Sequence, residues 1–164
     1  MKTMKTFLIL TVILFTLFSL ACKKQPESTI QTLIPIFYVD KNGNDLLDPT
    51  NQNGIKAANI DLYYIINGVK TRVLDNKMAK PENFSIDYSE TNHKYCLALF
   101  VNYKYDSKNT SETLIDFGNR VDTLTTSFNI LNDGYTIHEV WYNHVLKATD
   151  YNSTSTGNIT ITIQ

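Results

Sequence analysis

The sequence has 164 residues, of which 43% are hydrophobic and 19% are charged, a balance typical of one folded domain and unlike that of a disordered chain. Fifteen lysines and arginines against sixteen acids give a formal net charge of −1. Because nucleic-acid-binding proteins concentrate a basic excess on one face, this charge argues against nucleic acid as a partner.

The first 21 residues have the pattern of an export signal. Lys2 and Lys5 precede the uncharged, largely apolar run from Phe7 to Leu20. As a helix this run would span about 21 Å, which is short of the roughly 30 Å hydrocarbon thickness of a bilayer. We therefore predict that residues 1–21 are a cleaved signal peptide and not a membrane-spanning segment.

The end of this segment, Ser19-Leu20-Ala21-Cys22, resembles the lipobox of bacterial lipoproteins, with Ser19 at the position that is usually leucine. The resemblance implies that Cys22 is lipidated and anchors the protein to the bacterial outer membrane. The residues after Cys22 lack an acidic run of the surface-export type, which favours the periplasmic face. Residues 22–32 are polar and are predicted to be the lipidated cysteine and a tether. The alternative is an ordinary secretory signal.

Cleavage after residue 21 would leave 143 residues, which lose two lysines but no acid and carry a formal charge of −3. With Cys22 lipidated, Cys96 is the only remaining thiol, so no disulfide within the chain is expected. Cys96 lies in the run from Tyr95 to Val101, in which both alternating sets of side chains are apolar. This pattern predicts a buried, inert thiol.

From Leu33 onward, short apolar runs alternate with turn residues, and no amphipathic helical period is present, which predicts an all-β domain over residues 33–164. Asn67-Gly68 between two alternating runs predicts a hairpin with a type I′ turn. The segments with strand patterns are 33–39, 59–66, 69–74, 84–88, 94–103, 113–117, 121–130, 135–142, 159–163 and, most weakly, 145–148. We predict seven to nine strands in a two-sheet β-sandwich, with a small β-barrel as the alternative.

Two strands have a strict alternation of apolar and polar side chains. In 121–130 the predicted inward residues are Leu124, Thr126, Phe128 and Ile130, and in 159–163 the isoleucines alternate with threonines. In 59–66, Ile60, Leu62, Tyr64 and Ile66 are predicted to share one face.

The loop after the first strand has the oxygen spacing of a calcium site. The predicted ligands are the side chains of Asp40, Asn42, Asn44 and Asp48 and the backbone carbonyl of Leu46. The loop departs from an EF-hand because position 6 is Asp45 and not glycine, and position 12 is Asn51 and not glutamate. The alternative is a connection without metal in which Asn and Asp side chains cap their own backbone.

The segment from Phe37 to Tyr64, with its strand, Asp-x-Asn-Gly-Asn loop and following alternating strand, resembles the start of the B-type repeat domains of bacterial surface proteins. That resemblance implies an Ig-like or prealbumin-like sandwich whose loop can hold calcium. The whole layout, from the lipobox to Val140-Trp141-Tyr142-Asn143, resembles small uncharacterised lipoproteins of Bacteroidetes, which supports the location.

Aromatic side chains and histidines are the remaining candidates for function. A stacking surface for sugar rings or peptide would use Tyr63, Tyr103, Tyr105, Trp141 and Tyr142, and the alternative is ordinary packing between strands. His138 and His144 would lie about 20 Å apart on one continuous strand, too far to share a metal.

No catalytic motif is present in the sequence. We therefore expect a lipid-anchored, non-catalytic binding or accessory module with an envelope protein or a glycan as partner. The alternative is a small envelope hydrolase whose catalytic groups come from separate strands.

Overall fold

The structure is a computed structural model, and it describes residues 30–74, 82–151 and 158–164. The predicted signal peptide and the predicted lipidation site, Cys22, lie outside the described residues. The described residues form ten strands, which are β1 (Leu33–Asp40), β2 (Asp61–Ile66), β3 (Val69–Arg72), β4 (Phe84–Ser89), β5 (Lys94–Phe100), β6 (Thr110–Asp116), β7 (Val121–Leu131), β8 (Gly134–Tyr142), β9 (Val145–Thr149) and β10 (Ile159–Ile163).

The strands form two sheets, as predicted for a β-sandwich, and the sheets are not closed into a barrel. The four-stranded sheet has the order β10-β1-β5-β4, and the six-stranded sheet has the order β3-β2-β6-β7-β8-β9. The predicted total of seven to nine strands was too low. The weak segment at 145–148 does form a strand, because a tight turn folds it back onto β8 as the sheet edge.

The core lies between the two sheets and is filled by the alternating side chains that the sequence predicts. Leu124, Thr126 and Phe128 of β7 are buried, as are Leu62 and Tyr64 of β2, so the predicted register is confirmed. Their partners across the core include Ile34, Ile36, Tyr38, Leu97 and Leu99. The prediction for Ile130 was wrong: its side chain is 46% exposed, because β7 runs past the end of β6 and continues only as a hairpin with β8.

Strand β5 is buried on both faces. All four residues from Cys96 to Leu99 are buried, which confirms the prediction for this thiol. Burial raises the pKa of the Cys96 thiol above its ordinary value, so the unreactive protonated form is favoured.

Two hairpins use the same tight turn. Asn67 (φ 51°) and Gly68 (φ 78°) connect β2 to β3 and both have positive φ, which confirms the type I′ prediction. Asn143 (φ 47°) and His144 (φ 66°) connect β8 to β9 in the same way. His144 therefore lies in a turn, and His138 and His144 are not on one continuous strand.

The two ends of the sandwich hold different loops and turns. The proximal end is where β1 begins; it also holds the β5–β6 connection and the β7–β8 turn. The distal end is where β1 finishes, and it holds the loop 41–60, the β6–β7 connection and the β8–β9 turn. Eight strand residues at about 3.3 Å each separate the two ends by roughly 26 Å.

The chain joins the fold at the proximal end before β1 begins. The Gln31 N–H donates to the Tyr135 carbonyl (3.2 Å), and the Val101 N–H donates to the Thr32 carbonyl (2.8 Å). The last residues of the predicted tether 22–32 are therefore held against the folded domain. No helix in the part of the chain that the structure describes is long and apolar enough to cross a membrane.

Candidate functional site

The first half of the predicted calcium loop is a turn closed by its own hydrogen bonds. Asp40 Oδ1 accepts the backbone N–H groups of Asn42 (2.8 Å) and Asn44 (2.9 Å), and Asp40 Oδ2 accepts the Asn44 side-chain amide (2.8 Å). These bonds, first of all the one from the Asn44 side chain, lower the pKa of Asp40. Both oxygens of the predicted first ligand are thus used inside the turn.

The other two predicted ligands lie in different turns. The Leu46 carbonyl accepts the Ile55 N–H (2.6 Å), and Asp48 Oδ1 accepts both the N–H and the hydroxyl of Thr50 (2.7 Å each). The structure thus brings Asp40 and Asn44 together but engages Leu46 and Asp48 elsewhere. In the described ranges, no group of three or more His, Cys, Asp and Glu side chains is arranged to hold a metal ion.

Two lysine ammonium groups reach carbonyl oxygens of this loop. Lys94 Nζ donates to the Gly43 carbonyl (3.1 Å), and Lys56 Nζ donates to the Asn51 carbonyl (2.7 Å). Asp45, at position 6 of the predicted calcium loop, has its carboxylate bonded to the backbone N–H groups of Leu47 and Tyr95 (2.8 and 2.7 Å). Protein cations and backbone donors therefore contact these loop oxygens, as the alternative of a self-capped connection describes.

The five aromatic residues predicted as a platform lie in four separate places of the fold. Tyr142 is 4% exposed and belongs to the core, because successive residues of a strand face opposite sides and its neighbour Trp141 points outward. Tyr63 and Trp141 lie on strands β2 and β8, which are three strand spacings apart, about 14 Å. Only Tyr103 and Tyr105 lie near each other, at the proximal end beside Tyr135.

The three histidines lie in three different elements of the fold. His93 precedes β5, His138 lies within β8, and His144 lies in the β8–β9 turn. His138 Nδ1 is 3.0 Å from a carboxylate oxygen of Asp150.

The structure reveals a cleft at the distal end that the sequence analysis did not identify. It encloses about 450 Å³, within the usual range for small-molecule sites. Its charged side chains are Lys41, Lys56, Arg120 and Asp40, which carry a net formal charge of +2. Its other lining residues are four carboxamides (Asn53, Asn59, Asn119, Gln164) and a mainly apolar remainder that includes Leu46, Ile55, Phe117 and Ile163.

Two contacts with neighbouring side chains hold Arg120, one of the cations of the cleft, in place. Its guanidinium carbon lies 4.4 Å from the centre of the Phe117 ring, and its Nε donates to Asp122 Oδ2 (2.9 Å). Stacking and the hydrogen bond hold the planar group in one orientation. Its Nη2 is buried and has no hydrogen-bond partner among the described residues.

A buried network of hydrogen bonds holds Asp122, the partner of Arg120, in place. Asp122 Oδ2 also accepts the Tyr142 hydroxyl (2.5 Å), Asp122 Oδ1 accepts the Asn143 side-chain amide (2.8 Å), and the two hydroxyls of Tyr142 and Tyr38 are 3.0 Å apart. Burial is the main cause that raises the pKa of both Tyr38 and Tyr142, so both hydroxyls stay protonated. The network makes the guanidinium part of a rigid scaffold.

The sequence contained one signal for this cleft. Arg120 is one of only two arginines in the chain and lies in a short Gly-Asn-Arg connection between two strands, where binding residues are commonly found.

The chain has no significant match among protein-family models, curated proteins or solved structures.

Proposed function

We propose that the protein is a lipid-anchored β-sandwich of the bacterial envelope that acts as a non-catalytic binding module, with the distal cleft as its ligand site. The observation that carries the proposal is the separation of two features along β1. The chain joins the fold at the proximal end, and the cleft lies at the distal end. An anchor at Cys22 would hold the proximal end near the membrane and leave the cleft open to solvent on the opposite side.

The lining of the cleft supports a ligand that is both acidic and rich in hydroxyl groups. Lys41, Lys56 and Arg120 attract a carboxylate or phosphate, which forms strong charge-assisted hydrogen bonds with cationic donors. The carboxamides donate to and accept from hydroxyl groups. Phe117 and its apolar neighbours offer a surface for the carbon face of a ring. An acidic sugar unit of a glycan combines these properties.

The anchor is tested by cell fractionation. Wild-type protein should sediment with the outer membrane, and Cys22→Ser should appear in the soluble fraction because the acylated thiol is lost. Cys96→Ala is the matched control, because it removes the other cysteine of the sequence and should leave the protein in the membrane. Soluble wild-type protein would contradict the anchor.

The cleft is tested by titration calorimetry with a trigalacturonate, a neutral trisaccharide and inorganic phosphate as separate ligands. We expect binding of the acidic trisaccharide only, weakened severalfold in Lys41→Gln. Lys104→Gln, an exposed lysine at the proximal end, is the charge-matched control and should bind like the wild type. Equal binding of acidic and neutral sugars, or no effect of Lys41→Gln, would contradict the proposal. Breakdown of the saccharide during the titration would support the alternative of a hydrolase.

A further inference from the structure

The proximal end carries a cluster of exposed apolar and aromatic side chains that the ligand site does not use. We define the proximal patch as Ile30, Tyr103, Tyr105, Ile130 and Leu131. Ile30, Tyr103 and Leu131 are 61%, 52% and 47% exposed, and the other two are at least 40% exposed. Several exposed apolar side chains at one end of a fold indicate a contact with another molecule.

Tyr135 holds the patch together. Its ring packs edge-on against Tyr105 (centroids 6.2 Å apart) and against buried Phe128 (5.4 Å), and its backbone pairs with Ile130 and with Ile30. Tyr105 also packs against Phe128 (5.7 Å). Through Tyr105 and Tyr135 the patch therefore rests on the buried ring of Phe128.

The patch lies where the chain approaches the domain from Cys22. Ile30 is itself part of the patch and is eight residues after Cys22. Even a fully extended chain of eight residues spans at most about 28 Å. A lipid on Cys22 would therefore keep the patch within about one domain length of the bilayer surface at all times.

We infer that the proximal patch rests on the lipid bilayer at the level of the headgroups, so that the membrane itself is the partner of this surface. The inference relies on the anchor proposed above. A tyrosine ring has an apolar body and a polar hydroxyl and is enriched at membrane interfaces, and Ile30 and Leu131 add aliphatic contact. The exposed lysines of this end, Lys104 and Lys108, are matched by two exposed acids, Asp106 and Asp133, so the apolar and aromatic side chains carry the contact.

Because the tether holds the domain beside the bilayer, weak contacts are sufficient for this docking. A domain confined beside the bilayer meets the surface at a high effective concentration, so a few partly buried side chains can select one orientation. The result would be a domain that stands on its proximal end and keeps the distal cleft facing away from the membrane.

Hydroxyl-radical footprinting tests the inference on the wild-type side chains. The lipid-modified protein is placed in vesicles of phosphatidylethanolamine and phosphatidylglycerol, and its oxidation is compared with that of the protein in solution. If the cell does not acylate the protein, the chain from Cys22 is coupled through its thiol to a maleimide lipid in the same vesicles. The experiment therefore tests docking of the patch even if the cell does not acylate Cys22, so the two proposals are tested separately.

We expect oxidation of Tyr103, Tyr105 and Leu131 to fall severalfold on vesicles. Val145 and Leu146, which are 56% and 49% exposed near the distal end, should be oxidised as in solution. In Tyr103→Ser/Leu131→Ser the protection of Tyr105 should disappear, whereas Val145→Ser/Leu146→Ser should keep it. Equal oxidation in both states would overturn the inference. Protection that already exists in solution and grows with protein concentration would overturn it in favour of a second copy of the chain.

Discussion

Asp40 at the distal end and Asp106 at the proximal end close the same five-residue turn. In each turn the aspartate Oδ1 accepts the N–H groups of the residues two and four positions later, at 2.8 and 2.9 Å. In each, the fourth residue, Gly43 or Asn109, has positive φ and donates its N–H to the aspartate carbonyl at 3.0 Å. The sequence after Asp106, Ser-Lys-Asn-Thr, lacks the calcium-like spacing, so the shared geometry is that of a backbone cap.

The first prediction is that the Asp40 turn works without calcium. Melting curves in millimolar calcium and in chelator should coincide, and Asp40→Ala and Asp106→Ala should each lower the melting temperature equally in both buffers, because each loses the same cap. A site of extracellular affinity would instead raise the wild-type melting temperature by a few degrees in calcium. Such a rise, abolished by Asp40→Ala but kept in Asp106→Ala, would restore the calcium site.

A second prediction concerns acid. Hydrogen bonds, first from the Asn44 side chain, lower the pKa of Asp40, and those from the Thr110 and Lys108 backbone lower the pKa of Asp106. Because the folded-state pKa lies below the unfolded value of about 3.9, their contribution is present above that pH and is lost as the pH falls through the folded-state pKa.

The urea midpoint should therefore fall steeply below about pH 4 in the wild type, as these two carboxylates become protonated. The variant Asp40→Asn/Asp106→Asn should show a shallower fall. The same slope in the wild type and in this variant would assign the acid sensitivity to other groups.

The third prediction is that Gly54 is required for the course of the loop. A Cβ there would lie 2.7 Å from the Leu46 carbonyl oxygen, which also accepts the Ile55 N–H. Gly54→Ala should cost about 1–3 kcal/mol in urea unfolding, as overpacking against backbone does. The exposed neighbour variant Gln52→Ala should stay within about 0.5 kcal/mol of the wild type. If the two variants are equally stable, the close approach of Gly54 and Leu46 is wrong.

The fourth prediction tests the register of β7. Phe128→Asp should destabilise the domain by more than about 4 kcal/mol, because it removes a buried ring and buries an unpaired charge. Thr125→Asp lies on the outer face opposite Glu112, so it should cost no more than about 1 kcal/mol. Circular dichroism during urea unfolding measures both, and similar losses would refute the register.

The fifth prediction concerns the network behind Arg120. Tyr142→Phe should cost about 1–3 kcal/mol, because it removes a donor to buried Asp122 and the partner of the Tyr38 hydroxyl together. Tyr38→Phe should cost less, since it leaves the Tyr142–Asp122 bond intact. If urea unfolding shows a larger loss of unfolding free energy for Tyr38→Phe than for Tyr142→Phe, the arrangement in which the Tyr142 hydroxyl donates to Asp122 is contradicted.

The β pattern could be predicted from local sequence because its physical causes are local. Side chains such as Leu124 and Phe128 alternate with polar residues at the strand period, and Asn67-Gly68 contains the two residues that tolerate the turn. The cleft could not be predicted in this way. Lys41 and Lys56 lie in one connection and Arg120 lies in another, far away in the chain. Only the packing of the two sheets on each other brings these residues together. The five aromatic residues predicted as a platform are dispersed for a related reason, because strand parity sends Tyr142 inward and the sheet order separates Tyr63 from Trp141.

Strand β1 lies between β5 and β10, with antiparallel bonds on one side and parallel bonds on the other. Hydrogen bonds between strands run nearly across the strand axis. A pull on the chain that precedes Ile30 acts along β1 and therefore loads these bonds in shear, so that they resist together and do not open one after another. Force transmitted through the proposed anchor would thus meet a strand whose hydrogen bonds on both sides resist together.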